Sequence, residues 1–157
     1  MFSKYHIKGS WPTSERFVFA SCDNTYFDQF AERFQKSFKQ NFDLPVHLHL
    51  INPQTEQMML CSKWGVTYTY NHIDDSLYHE RVDAVKKSKT NISDEVANRE
   101  VYWGFCQAIR FWMLGQYQTD KQNIVVADID CVAVQKPTDL PVSYTHLTLP
   151  TNTTVFM

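Results

Sequence analysis

A chain of 157 residues, 43% hydrophobic and 15% aromatic, can bury one sizeable core and is too apolar for disorder. Its 15 basic and 17 acidic residues leave a formal charge of −2, so no global field favours nucleic acid or an anionic membrane surface. The four cysteines, Cys22, Cys61, Cys106 and Cys131, stand far apart without a C-x-x-C pair, which argues against a zinc ribbon and for reduced, buried thiols in a cytoplasmic compartment.

The opening stretch, MFSKYHIKGSWPTSERF, lacks the apolar core of a signal peptide. No apolar run approaches the roughly 20 residues that a transmembrane segment needs. Residues 1–15 read as an N-terminal extension, and RFVFAS, from Arg16 to Ser21, as a first buried strand. In the following CDNTYFDQFAERFQKSFKQNF, the residues Phe27, Phe30, Ala31, Phe34 and Phe38 form one stripe of an amphipathic helix. Asp23 or Asn24 can cap its start. LPVHLHLINP is a second strand, with Val46, Leu48 and Leu50 on one face and His47 and His49 on the other. Asn52-Pro53 ends it. QTEQMMLCSKWG is a short helix closed by Gly65, and VTYTYNHI a third strand. The polar LYHERVDAVKKSKT, Leu77 to Thr90, reads as a helix or a loop. Ser93-Asp94-Glu95 then starts a long helix, with acids favouring the dipole of its first turn. That helix is apolar nearly all round, so burial on more than one side is expected, with Trp103, Phe105, Phe111 and Trp112 as core. QNIVVADID is the fourth strand. Strands alternating with helices predict a right-handed, mainly parallel α/β sheet.

The fourth strand ends on Asp128 and Asp130, an unusual place for two carboxylates, because an unpaired charge in an apolar interior is costly. In an open parallel sheet, ligands bind beyond the carboxyl ends of the strands. Residues two apart on a strand face the same way, so extended geometry would let both carboxylates converge on one point. Two like charges so placed either disfavour each other's ionisation or recruit a cation. Oxygen donors suit Mg²⁺ or Mn²⁺, which bind few protein carboxylates and complete their shell with substrate phosphates. The plainer alternative is a strand end whose acids are solvated or cap the next turn.

The last stretch has a different character. VSYTHLTLPT, Val142 to Thr151, can be encoded by GTC TCT TAT ACA CAT CTG ACG CTG CCG ACG, which resembles a transposon-end adapter of shotgun sequencing libraries. Pro141 fits the same frame. Residues 142–157 are therefore expected to be a non-native tail, and 16–141 an incomplete α/β domain.

From Phe17 to about Pro137 the pattern resembles GT-A glycosyltransferases, family 8-like enzymes in particular. SCDNTYF matches a D-x-x-Y stretch after the first strand, FCQAIRFWML an arginine-bearing helix before the metal strand, and VVADIDCVAVQKP the strand with its D-x-D and following proline. The resemblance implies a Rossmann-like GT-A fold, truncated after the D-x-D strand. It implies sugar transfer from a nucleoside-diphosphate donor, a UDP-sugar as first choice, to an unknown acceptor. Asp128 and Asp130 would hold Mn²⁺ or Mg²⁺, Asp23 and Tyr26 would lie at the base, and Arg110 near the sugar or phosphate. The metal would neutralise the departing diphosphate. Cys22 stands where many relatives have a small hydroxylated residue, and the third metal ligand and acceptor site would follow the D-x-D strand; no catalytic residue is assigned. The chain as given is expected to be inactive by itself.

The same residues fit other readings. DIDCV also fits the first motif of haloacid-dehalogenase-type phosphatases, with Asp128 as nucleophile and Asp130 as general acid/base, although that motif normally follows the first strand of its domain. A non-catalytic α/β binding module is the third option. Arg110 could instead snorkel or pair with an acid at the core edge. His47 and His49 could bind a metal at i, i+2, but packing beside a helix or facing solvent is the simpler expectation. His72 and His79 should be solvated, Asn91-Ile92-Ser93 reads as a helix cap, and Cys131 as a buried thiol.

Overall fold

Phe17, Val18, Phe19 and Ala20 are completely buried on both faces of their strand, as the centre of a parallel sheet requires. The computed structural model of the protein describes residues 6–89, 91–117 and 123–134. In chain order these form β1 (Lys8–Gly9), β2 (Arg16–Asp23), α1 (Asn24–Tyr26), a π-helical turn (Phe27–Ala31) leading into α2 (Glu32–Phe42), β3 (Val46–Ile51), α3 (Thr55–Trp64), β4 (Thr67–Asn71), α4 (Asp75–Ser88), α5 (Asp94–Tyr117) and β5 (Asn123–Val126). The expected tail at 142–157, Pro137 and the domain end at 141 lie outside the described residues.

The sheet has five strands in the order β1-β4-β3-β2-β5. β2 pairs in parallel with β3 and with β5, and β3 with β4. The α/β, mainly parallel class follows from the alternation of elements, as expected. β1 was not anticipated: part of the stretch read as an extension pairs antiparallel with β4, and Trp11 stacks on His47 and Tyr117 at 4.6 and 4.2 Å.

Strand alternation sorts the sheet into two faces. Val18, Ala20 and Cys22 of β2 and Val46, Leu48 and Leu50 of β3 pack against Phe27, Ala31, Phe34 and Phe38, with Cys61 of α3 beside them. The Phe stripe read from the sequence therefore seats the helix, though the helix carries a π-helical turn where a regular α-helix was expected. On the opposite face Phe17, Phe19 and Ile51 pack against Phe105, Ile109 and Met113 of α5. Helices cover both faces in a doubly wound arrangement. α3 ends as expected at Gly65, whose φ of 63° is left-handed and whose amide donates back to Cys61 and Ser62 carbonyls. The stretch from Leu77 falls into α4 through Ser88, and Thr90 lies outside the described residues.

One expectation is corrected. α5 buries a single stripe, and Trp103 and Phe111 are 60% and 59% exposed. Phe105 is core and Trp112 packs partly buried against it, as expected. The physical reason is layering: α5 has the sheet on one side, α4 along a flank, and no described element over its outer face.

Candidate functional site

Strands β2, β3 and β4 progress in one direction across the sheet, and the chain then returns to place β5 on the other side of β2. The order reverses between β2 and β5, the kind of switch point at whose carboxyl ends open α/β sheets take ligands. Asp23 is the last residue of β2. β5 ends at Val126, and pairing continues through the Ala127 amide to the Phe19 carbonyl at 3.0 Å, so Asp128 lies just past the ladder.

Asp23 is fully engaged. Its Oδ1 accepts the Tyr26 amide at 2.9 Å, which makes Asp23 the N-cap of α1. Its Oδ2 accepts the Tyr102 hydroxyl at 3.0 Å. Asp-x-x-Tyr spacing thus has a local cause, since an N-cap carboxylate reaches the amide three residues on. Tyr26 itself is exposed, its ring tilted against Phe30 at 5.5 Å. Burial, followed by the nearby Cys106 and Asp23, pushes the Tyr102 hydroxyl well up, so it stays a donor. Burial likewise pushes the Cys106 thiol up to about 12.

Asp128 meets Arg110 in an ion pair, Nη1 to Oδ1. Convergence of the two aspartates by extended geometry does not hold. The Cys131 amide bonds the Asp128 carbonyl at 3.0 Å and closes a turn over Ile129 and Asp130. Ile129 is the cause: it inserts into the apolar cluster of α2 and β2, leaving Asp130 exposed. The stretch after the turn is pinned to α2, with the Ala133 amide on Ser37 Oγ at 3.1 Å and the Ala133 carbonyl on Asn41 Nδ2 at 2.9 Å. Burial raises the Cys131 thiol, with Asp130 and Asp128 adding to it, which disfavours a nucleophilic thiolate there.

Tyr102, Cys106 and Arg110 lie at i, i+4 and i+8 on α5, so one helix stripe serves both strand ends. Sequence reading singled out Arg110 and passed over Tyr102. The signal was available in the i, i+4, i+8 spacing of Tyr102, Cys106 and Arg110. Among the described residues no three His, Cys, Asp or Glu side chains gather as a metal site. Asp128 and Asp130 are the oxygen donors on this turn that could hold a hard cation, which would draw the rest of its shell from elsewhere.

His47 and His49 lie on β3 and face β4 rather than β5. They do face opposite Val46, Leu48 and Leu50, but they are completely buried rather than solvated. His47 bonds Thr67 and Thr69 at 3.0 and 3.1 Å, and His49 bonds Thr69 and Asn71 at 3.0 and 2.8 Å. With Asn71 Oδ1 accepting, the ladder runs one way: His49 Nε2–H to Asn71, Thr69 O–H to His49 Nδ1, His47 Nε2–H to Thr69, and Thr67 O–H to His47 Nδ1. All ring nitrogens are used, so the pair is structural. His72 and His79 are exposed, as expected.

No helix among the described residues is long and apolar enough to cross a membrane. The chain matches no protein-family profile, no curated protein and no solved structure.

Proposed function

We propose that the chain carries the donor-binding part of a metal-dependent, GT-A-like nucleotide-sugar glycosyltransferase. The observation behind this reading is the strand-order reversal between β2 and β5, with Asp23 at one strand end and Asp128 and Asp130 at the other. A crevice at such a point is where open α/β sheets take nucleotides. Asp128 and Asp130 would hold Mn²⁺ or Mg²⁺, which would neutralise the diphosphate of a UDP-sugar. Tyr26 offers an exposed ring for the base beside the Asp23 cap, and Arg110 a guanidinium for phosphate oxygens.

The test is calorimetric titration of UDP into the full chain with and without Mn²⁺. Binding that needs Mn²⁺ and disappears in Asp130→Asn is the expected result. Metal-independent binding, or none, would sink the assignment. Hydrolysis of a phosphate monoester that is lost in Asp128→Asn would replace it with a phosphatase.

A further inference from the structure

Arg110 and a divalent cation need the same carboxylate. The Asp128 backbone is held in place by the Ala127 and Cys131 amides and by buried Ile129. Arg110 can move, since its side chain has four rotatable bonds. In its present position the guanidinium lies 5.7 Å over the Phe111 ring, and Nε is buried without a partner among the described residues. A buried, unpaired donor calls for a reason. Turning the guanidinium onto a phosphate would give Nε an acceptor and free Asp128 at the same time, because Arg binds phosphate as a two-pronged fork.

Resting on the donor-site reading above, we propose that Arg110 gates the cation site: it occupies Asp128 until a diphosphate draws it away, so metal and nucleotide bind as a coupled pair. Metal alone meets a fixed positive charge on its own ligand and binds weakly. Diphosphate alone lacks its counter-cation and must break the ion pair unaided. Together, each removes the obstacle to the other, and the coupling is reciprocal by linkage.

The test measures Mn²⁺ binding to the full chain by electron paramagnetic resonance, with and without saturating UDP. In the unsubstituted chain UDP should tighten Mn²⁺ by about tenfold or more. In Arg110→Gln, Mn²⁺ alone should bind about tenfold tighter, and most of the gain from UDP should vanish. Arg110→Lys keeps the charge and loses the fork, so Mn²⁺ alone should stay weak while the gain from UDP shrinks. Lysine carries the test if the Gln variant fails to fold. Mn²⁺ affinity that is unchanged or weaker in Arg110→Gln overturns the gate, as does an undiminished UDP gain in Arg110→Lys. If Mn²⁺ binding depends on Asp128 yet ignores both Arg110 variants, the gate alone falls. If no chain binds Mn²⁺ with or without UDP, the donor site falls with it.

Discussion

Both oxygens of Asp23 are committed, one to the Tyr26 amide and one to the Tyr102 hydroxyl, so this residue ties α5 to the start of α1. Tyr102→Phe should cost about 1 kcal/mol, the net worth of one hydrogen bond. Asp23→Ala should cost more, because it removes a cap worth ~1 kcal/mol and strands a half-buried hydroxyl. Urea denaturation of both single variants and the double variant checks this: the double should be less destabilised than the sum, and strict additivity would show that the two side chains do not interact. The aspartates of the turn should separate by the same measurement. Asp130→Asn changes an exposed side chain and should stay within about 0.5 kcal/mol. Asp128→Asn takes the counter-charge from an Arg110 that is only 17% exposed. The loss should be about 1–2 kcal/mol, below that of a fully buried pair because water screens the 43% exposed Asp128. Equal effects would mean that the ion pair carries no stability. Asp128 and Asp130 were legible as carboxylates at a strand end, since charges after NIVVA demand a reason. Their geometry was not, because the turn is set by Ile129 finding the core, and a strand pattern alone cannot say where pairing stops.

Between elements, the ladder of His47 and His49 across β3 and β4 couples stability to pH. Burial lowers His47 from 6.5 to about 3, with His49 adding to the effect, and burial lowers His49 to about 4. The folded chain thus keeps both rings neutral while the unfolded chain protonates them near 6.5. Below that pH the unfolded state binds more protons, so stability falls as pH drops from about 6.5 and levels off only once the folded rings also charge, near 4 and 3. Unfolding free energy measured by urea from pH 7.5 to 4.5 should show this loss, and His49→Gln should be weaker at pH 7.5 yet lose less on acidification. An unchanged slope in the variant would remove the histidine from the account. Alternation made the histidine face readable from β3 alone. The partners were harder, because cross-strand register is a property of two segments, but Thr67, Thr69 and Asn71 share one face of β4 while Tyr68 and Tyr70 take the other, and that small polar row was the clue. The C-cap of α3 was fully legible. Gly65→Ala has room for its methyl, with Lys39 Nζ the nearest atom at 3.9 Å, so its cost of about 1–2 kcal/mol should come from the left-handed backbone alone.

The whole molecule is three layers deep only where helices lie over the sheet, and the sequence could not show how far that cover extends. Periodicity reports how many sides of a helix are apolar; it does not report whether a second surface exists to receive them. α5 has Ala97, Phe105, Ile109 and Met113 buried, while Trp103 and Phe111 point away from the sheet and are met by Arg99 and Arg110 over their rings at 6.0 and 5.7 Å. An all-round buried helix and a one-sided one make opposite demands on substitution. If α5 were enclosed, Trp103→Gln and Phe111→Gln would each create a cavity lined by apolar atoms and cost several kcal/mol, like Phe105→Ala, for which about 3–5 kcal/mol is expected. In the one-sided arrangement Trp103→Gln leaves little behind, because its ring is already mostly in water. Its cost should stay within about 0.5 kcal/mol, while Phe105→Ala removes a ring packed between α5 and β2. Chemical denaturation of the two variants side by side decides between these arrangements. A penalty for Trp103→Gln that approaches that of Phe105→Ala would mean that a further layer covers the outer face of α5, and that the two-sided burial expected from its composition is right after all.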